Sequence, residues 1–84
     1  MHDFHLADTI LKTVLGYAEK NNFKKIKKIE LELGSILEHE EVISPENLIF
    51  NFNLLSKNTI AQSAELNIKS VAGDSWKLVS IDGN

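Results

Sequence analysis

Ile29-Glu30-Leu31-Glu32-Leu33-Gly34 alternates apolar with acidic residues and stops at a glycine. Period two puts Ile29, Leu31 and Leu33 on one face and Glu30 and Glu32 on the other, the pattern of a strand buried on one side. Upstream the period changes. Ala7, Ile10, Leu11, Val14, Leu15 and Ala18 recur at helical spacing and predict a helix over residues 4–21. Asp3 stands where a side-chain oxygen can cap the helix start, which leaves Met1-His2 as a short arm. Asp8 and Lys12 are four apart on the outer face, in the favourable order. Asn21-Asn22 suits a helix end, because Asn tolerates left-handed backbone. The strand, predicted over residues 24–34, is entered through Lys24, Lys25, Lys27 and Lys28. This basic run is either a solvated strand entry or an electrostatic dock for an acidic partner.

Downstream, residues 35–43 carry Glu38, His39, Glu40 and Glu41 between Ile36, Leu37, Val42 and Ile43. They predict a loop or a short extra turn. Its carboxylates and imidazole could complete a metal shell or simply be solvated. Ser44-Pro45-Glu46 is a helix start: a cap, a first-turn proline and an acid at the positive end. Leu48, Ile49, Phe52 and Leu55 form the apolar stripe, with Phe50 and Leu54 flanking it, and the aromatics at this spacing read as core rather than as a ligand box. Lys57 and Asn58 suit the helix end. Residues 65–71 alternate again, with Leu66 and Ile68 on one side. Gly73-Asp74 predicts a tight type II′ hairpin into a last strand over residues 76–81. There Trp76 and Leu78 share one face and Val79 and Ile81 the other, and either face could be the inner one. Asp82-Gly83-Asn84 reads as a tail.

The order is α-β-α-β-β. A parallel pair of strands joined through the second helix makes a right-handed crossover. The expected fold is an α/β (α+β) two-layer sandwich, with two helices packed on a small three-stranded mixed sheet.

At 84 residues one domain, 1–84, is expected. The net charge of −3 argues against a surface that tracks phosphates, and so against nucleic acid. The absence of cysteine removes disulfides, thiolate zinc sites and a thiol nucleophile together. No apolar run is long enough for a membrane span and no leader pattern opens the chain, so no membrane partner and a cytoplasmic location are expected. No spacing supports a catalytic constellation, and an enzyme is not expected.

Met1-His2-Asp3 carries the one concentrated piece of chemistry. An α-amine, the first backbone amides and the His2 ring can wrap a metal ion in fused chelate rings. Such a nitrogen-rich cage suits square-planar Ni(II) or Cu(II) and not oxygen-seeking Mg(II) or Ca(II). It requires Met1 to carry a free amine. His5, one helical turn along, and His39 are candidates for an extra ligand.

Met1-His2-Asp3, Leu6-Ala7-Asp8, Ile10 and Thr13-Val14-Leu15 together resemble the start of the HypA family. The likeness continues in Ile29 to Gly34 and in Ser44-Pro45-Glu46-Asn47-Leu48. It is sharpest in Thr59-Ile60-Ala61-Gln62-Ser63-Ala64-Glu65-Leu66, and returns in Trp76-Lys77-Leu78-Val79-Ser80-Ile81. The resemblance implies a nickel-insertion accessory protein for nickel-iron hydrogenase or urease maturation. It implies Ni(II) at Met1 and His2, with backbone nitrogens of His2 and Asp3 contributing. The implied partners are a maturation GTPase or the hydrogenase large subunit, and a homodimer stays open. An alternative is a metal-free HypA-like interaction module that docks a maturation partner.

Four features depart from the family pattern. Asp3 replaces the usual Glu. The family's two zinc-binding cysteine pairs, in an arm between the last two strands, have no counterpart where Val71 leads through Ala72-Gly73-Asp74-Ser75 to Trp76. No zinc and no zinc domain are therefore expected. The segment of Glu38 to Glu41 is a few residues longer than the family's connection. Asn58 and Ser63 stand where Gly is usual.

Overall fold

The alternation at residues 29–33 does form a strand, and that strand is the middle one of its sheet. The computed structural model describes residues 2–38 and 41–84. Along the chain these form α1 (His2–Lys20), β1 (Ile26–Leu33), β2 (Leu37–Glu38), β3 (Glu41–Val42), α2 (Pro45–Leu55), β4 (Glu65–Ser70) and β5 (Trp76–Gly83). The three-stranded sheet has the order β4-β1-β5. β1 pairs parallel with β4 and antiparallel with β5. Two helices on a mixed sheet make the expected two-layer α+β architecture.

The apolar stripe of α1 buries Leu6, Ala7, Ile10, Leu11, Val14 and Ala18 against the sheet and α2. The helix begins two residues earlier than its period implies. Asp3 is therefore a helical residue and not the cap, and His2 belongs to the helix and not to an arm. The stripe starts at Leu6, so its period is silent about the turn before it. Asp8 and Lys12 do pair, at 3.0 Å, on an exposed face where such a pair adds little stability. The far end closes as a Schellman cap. Phe23 N–H donates to Ala18 O at 2.8 Å, Asn22 N–H donates to Glu19 O at 3.1 Å, and Asn22 takes φ 61°.

α2 starts as its sequence dictates. Ser44 is extended, its Oγ accepts from Asn47 N–H at 3.2 Å, and Pro45 opens the helix. Leu48 and Phe52 are fully buried, while Ile49 and Leu55 pack at the core's margin. Phe50 and Leu54 are not core: they stand 63% and 40% exposed. Leu48-Ile49-Phe50 is a continuous apolar run, and a run does not show how wide the buried stripe is. The cap falls on Ser56, whose N–H reaches Phe52 O, rather than on Lys57 or Asn58. Asn58 and Ser63 take φ 67° and 69°, so both sit in the left-handed region that glycine favours. The chain then coils through turns held by the Thr59 hydroxyl, which donates to Ser56 O and accepts from Ala61 N–H.

Residues 35–43 hold a small two-stranded hairpin in place of a loop: Leu37 pairs with Val42 and Glu38 with Glu41. Strands of two residues are too short to show a period.

β4 and β5 do not form the expected hairpin. β1 lies between them, and residues 71–75 arch across its exit. Gly34 N–H donates to Ser75 O and Ser35 N–H to Gly73 O, each at 2.8 Å. A Cβ built on Gly34 would lie 2.6 Å from Gly73 O and 2.8 Å from Ser75 O. These backbone oxygens cannot retreat without losing both bonds. Gly34→Ala should cost about 1–3 kcal/mol, the usual range for overpacking, read as a lower thermal midpoint.

β5 resolves which face is inside. Its register against β1 slips between Glu30 and Leu31, so Trp76 and Leu78 before the slip and Ile81 after it all pack on the core. Val79, at the slip, is 53% exposed. The strand also runs on through Asp82 and Gly83, which pair with Lys28 and Ile26, so those residues are not a tail. On the outer face Asn67 donates to Glu30 at 3.1 Å and to Glu65 at 2.8 Å. The Asn67 bond, with a smaller contribution from Lys28, holds the Glu30 carboxyl below its ordinary pKa. That contribution to stability is present above the ordinary carboxylate range and is lost as pH falls through the lowered value.

Candidate metal centre

The short connection after α1 turns the chain back into β1, so α1 runs opposite to β1. α2 leaves the far end of β1 and also runs opposite to it. The starts of both helices therefore lie at one end of the sandwich, with the β2–β3 hairpin and the 71–75 arch. At this end the first N–H groups of α1, including those of His2 and Asp3, have no intrahelical acceptor.

Met1, His39 and Glu40 lie outside the described residues, and so do the side chains of His2 and Asp3. His5 is exposed, three residues beyond His2 in the same helix. Its carbonyl accepts the Thr9 hydroxyl at 3.0 Å, and Thr13 repeats the bond to Thr9. These threonines serve the helix backbone. Among the described residues, no three His, Asp or Glu side chains gather as a metal site would need. Of the sequence-predicted ligands, His2, Asp3 and His5 thus share the start of one helix, and among the described residues no side-chain cage is gathered around them.

The basic run is at the opposite end, about 28 Å away by the length of a 19-residue helix. Lys24, Lys25 and Lys27 are exposed, and Lys28 pairs with Glu30 at 3.4 Å. Lys24 and Lys25 border a shallow cavity of about 270 Å³ with Thr59, Ile60, Gln62 and Ser63. Among the described residues no helix is long and apolar enough to cross a membrane.

The profile of the family described as hydrogenase/urease nickel incorporation, metallochaperone, HypA matches residues 1–76. The hydrogenase maturation factor HypA of Albidiferax ferrireducens is 30% identical over 76 residues, covering 90% of this chain and 64% of that protein. Its namesake in Rhizobium leguminosarum is 32% identical over 78 residues, covering 93% and 66%. That of Archaeoglobus fulgidus is 35% identical over 74 residues, covering 88% and 64%. The chain thus spans about two thirds of the length of these relatives. The solution structure of the nickel metallochaperone HypA from Helicobacter pylori superposes with a TM-score of 0.78 at 13% identity, covering 99% of this chain and 97% of that one. At that identity the likeness is one of fold. The profile match over nearly the whole length and the relatives at or above 30% identity agree: this chain belongs to the HypA family, a family of metallochaperones and maturation factors and not of enzymes.

Proposed function

We propose that the chain is a nickel-binding domain that holds Ni(II) as cargo at Met1, His2 and Asp3 for maturation of a nickel-iron hydrogenase. The observation that carries the reading is that the family match begins at residue 1 and takes in Met1-His2-Asp3. Met1 supplies the amine, His2 a ring nitrogen and its amide, and Asp3 a second amide and local negative charge. The helical turn suits this chemistry. A helical ψ near −42° keeps a residue's nitrogen and the next one on the same side, as a five-membered chelate ring requires; an extended ψ near +135° turns them apart. Neither amide must give up a helix bond. A maturation GTPase or the hydrogenase large subunit would receive or gate the metal. None of the proposed donors is a thiolate, and these 84 residues offer none.

Calorimetric nickel titration of protein with a native N-terminus tests the reading. His2→Ala and a version with two residues added before Met1 run beside it. One tightly bound Ni(II), lost in both variants, is the expected result. Equal binding in all three would overturn the N-terminal site and turn attention to His39 and its carboxylates. No binding in any would favour the metal-free docking module.

A further inference from the structure

β4 is an edge strand whose open side carries the pattern of its own partner. Val71 N–H donates to Leu33 O, so the odd-numbered residues of β4 point their backbone groups at β1. By alternation, the N–H and C=O groups of Leu66, Ile68 and Ser70 point to the open side. The side chains alternate on the perpendicular axis. Leu66 and Ile68 face the core, while Glu65, Asn67 and Lys69 lie on the outer face.

We propose that two copies of this chain associate through β4, antiparallel, about a two-fold axis at Asn67. In that register Leu66 lies opposite Ile68 of the second copy, and their outward N–H and C=O groups exchange backbone hydrogen bonds on both sides of the axis. Glu65 lies opposite Lys69 of the second copy, and Lys69 opposite its Glu65. Asn67 meets its own counterpart. Both ion pairs fall at non-hydrogen-bonded positions, where facing side chains are closest. A shift of the axis to Leu66 or Ile68 keeps a ladder but loses the ion pairs. A parallel approach sets like charges together. The charges therefore select one register.

Charged residues on an edge usually deter pairing. Here the two charges have opposite sign and stand two residues to either side of Asn67, so an antiparallel copy of the same strand is attracted. The other edge is different: β5 carries the slip at Val79, which interrupts a regular ladder. The assembly is one six-stranded sheet, β5-β1-β4 continued by the second copy's β4-β1-β5. The axis is normal to the sheet, so all four helices lie on one face. The two α2 helices come to either side of the axis, each with exposed Phe50 and Leu54.

Sedimentation velocity over a wide concentration range tests this on the full chain. The wild type should dimerise as concentration rises. Glu65→Lys and Lys69→Glu should each weaken self-association about tenfold or more, since two attractive pairs become repulsive. Mixing the two variants should restore a dimer, and so should the double reversal in one chain, because both arrangements recover opposite charges. A cysteine test fixes the register. The chain has no cysteine of its own, and facing Cα atoms at a non-hydrogen-bonded pair are about 4.5 Å apart, within disulfide reach. Asn67→Cys should form a disulfide-linked dimer under mild oxidation, and Ser80→Cys, on β5, should not. A wild type that stays monomeric, single reversals that associate like wild type, or equal cross-linking at both positions would overturn the proposal.

Discussion

Phe52→Ala is expected to lower the stability of the fold by about 3–5 kcal/mol. Phe52 is fully buried and is the largest side chain at the centre of the core. It lies on the inner face of α2 among residues from both helices and the sheet. Truncating a buried Phe removes its transfer free energy and leaves a cavity, together about 3–5 kcal/mol. A chain of this length has about 4–13 kcal/mol of stability in all, at ordinary values per residue. The loss therefore takes between about a quarter and all of that margin, and a urea titration should show a much lower midpoint. Phe50→Ala is the matched control. It removes the same atoms from the same helix, two residues away, at a side chain that stands in solvent. Its urea midpoint should move by no more than about 0.5 kcal/mol in stability. Equal effects at the two positions would mean that α2 is rotated from the orientation described.

Nickel binding is expected to weaken by at least several hundredfold between about pH 7.5 and pH 5.5. The sign follows from competition: the proposed ligands bind metal only without their protons. Taken at ordinary free-peptide values of about 7.8 and 6.5, roughly a third of the amine and most of the imidazole are available at the higher pH, and both are almost wholly protonated at the lower. Their combined cost over that interval is about 4 kcal/mol. Each backbone amide that ionises on binding adds a further tenfold per pH unit. Calorimetry at a series of pH values, in buffers of different ionisation heat, reads both the affinity and the protons released. A flat profile would remove the amine and imidazole from the site.

Local chemistry was legible in the sequence wherever a residue decides its own conformation. Ser44-Pro45 starts α2, Asn22 closes α1, and Asn58 takes the left-handed geometry it can tolerate. The β1 alternation was equally plain, because one face is buried and the other wet. What escaped was non-local. Gly73-Asp74 has the composition of a tight turn, and the chain does turn there, but composition cannot say that β1 will lie between the strands it joins. The slip at Val79 resets the phase of β5, so strict alternation assigned Ile81 to the wrong partner residues. Phe50 was misplaced because burial depends on how far the sheet reaches around α2. At the candidate site the donor atoms were legible and the backbone was not: nothing before Leu6 signals that His2 and Asp3 are already helical.

That early start bears on which ion the end of α1 can tolerate. Aligned peptide dipoles give a helix start about half a positive charge, and α2 opens at the same end of the molecule. A bare dication held there by neutral donors would be repelled. Two ionised amides cancel the charge of a divalent ion, and the same positive field makes those amides better acids. An ion able to drive amides to ionise arrives at a nearly neutral centre, whereas one that cannot keeps its full charge against the field. In the proposed site the polarity of the helix thus acts as a filter, admitting nickel- and copper-like ions and disfavouring magnesium and calcium before any side chain takes part.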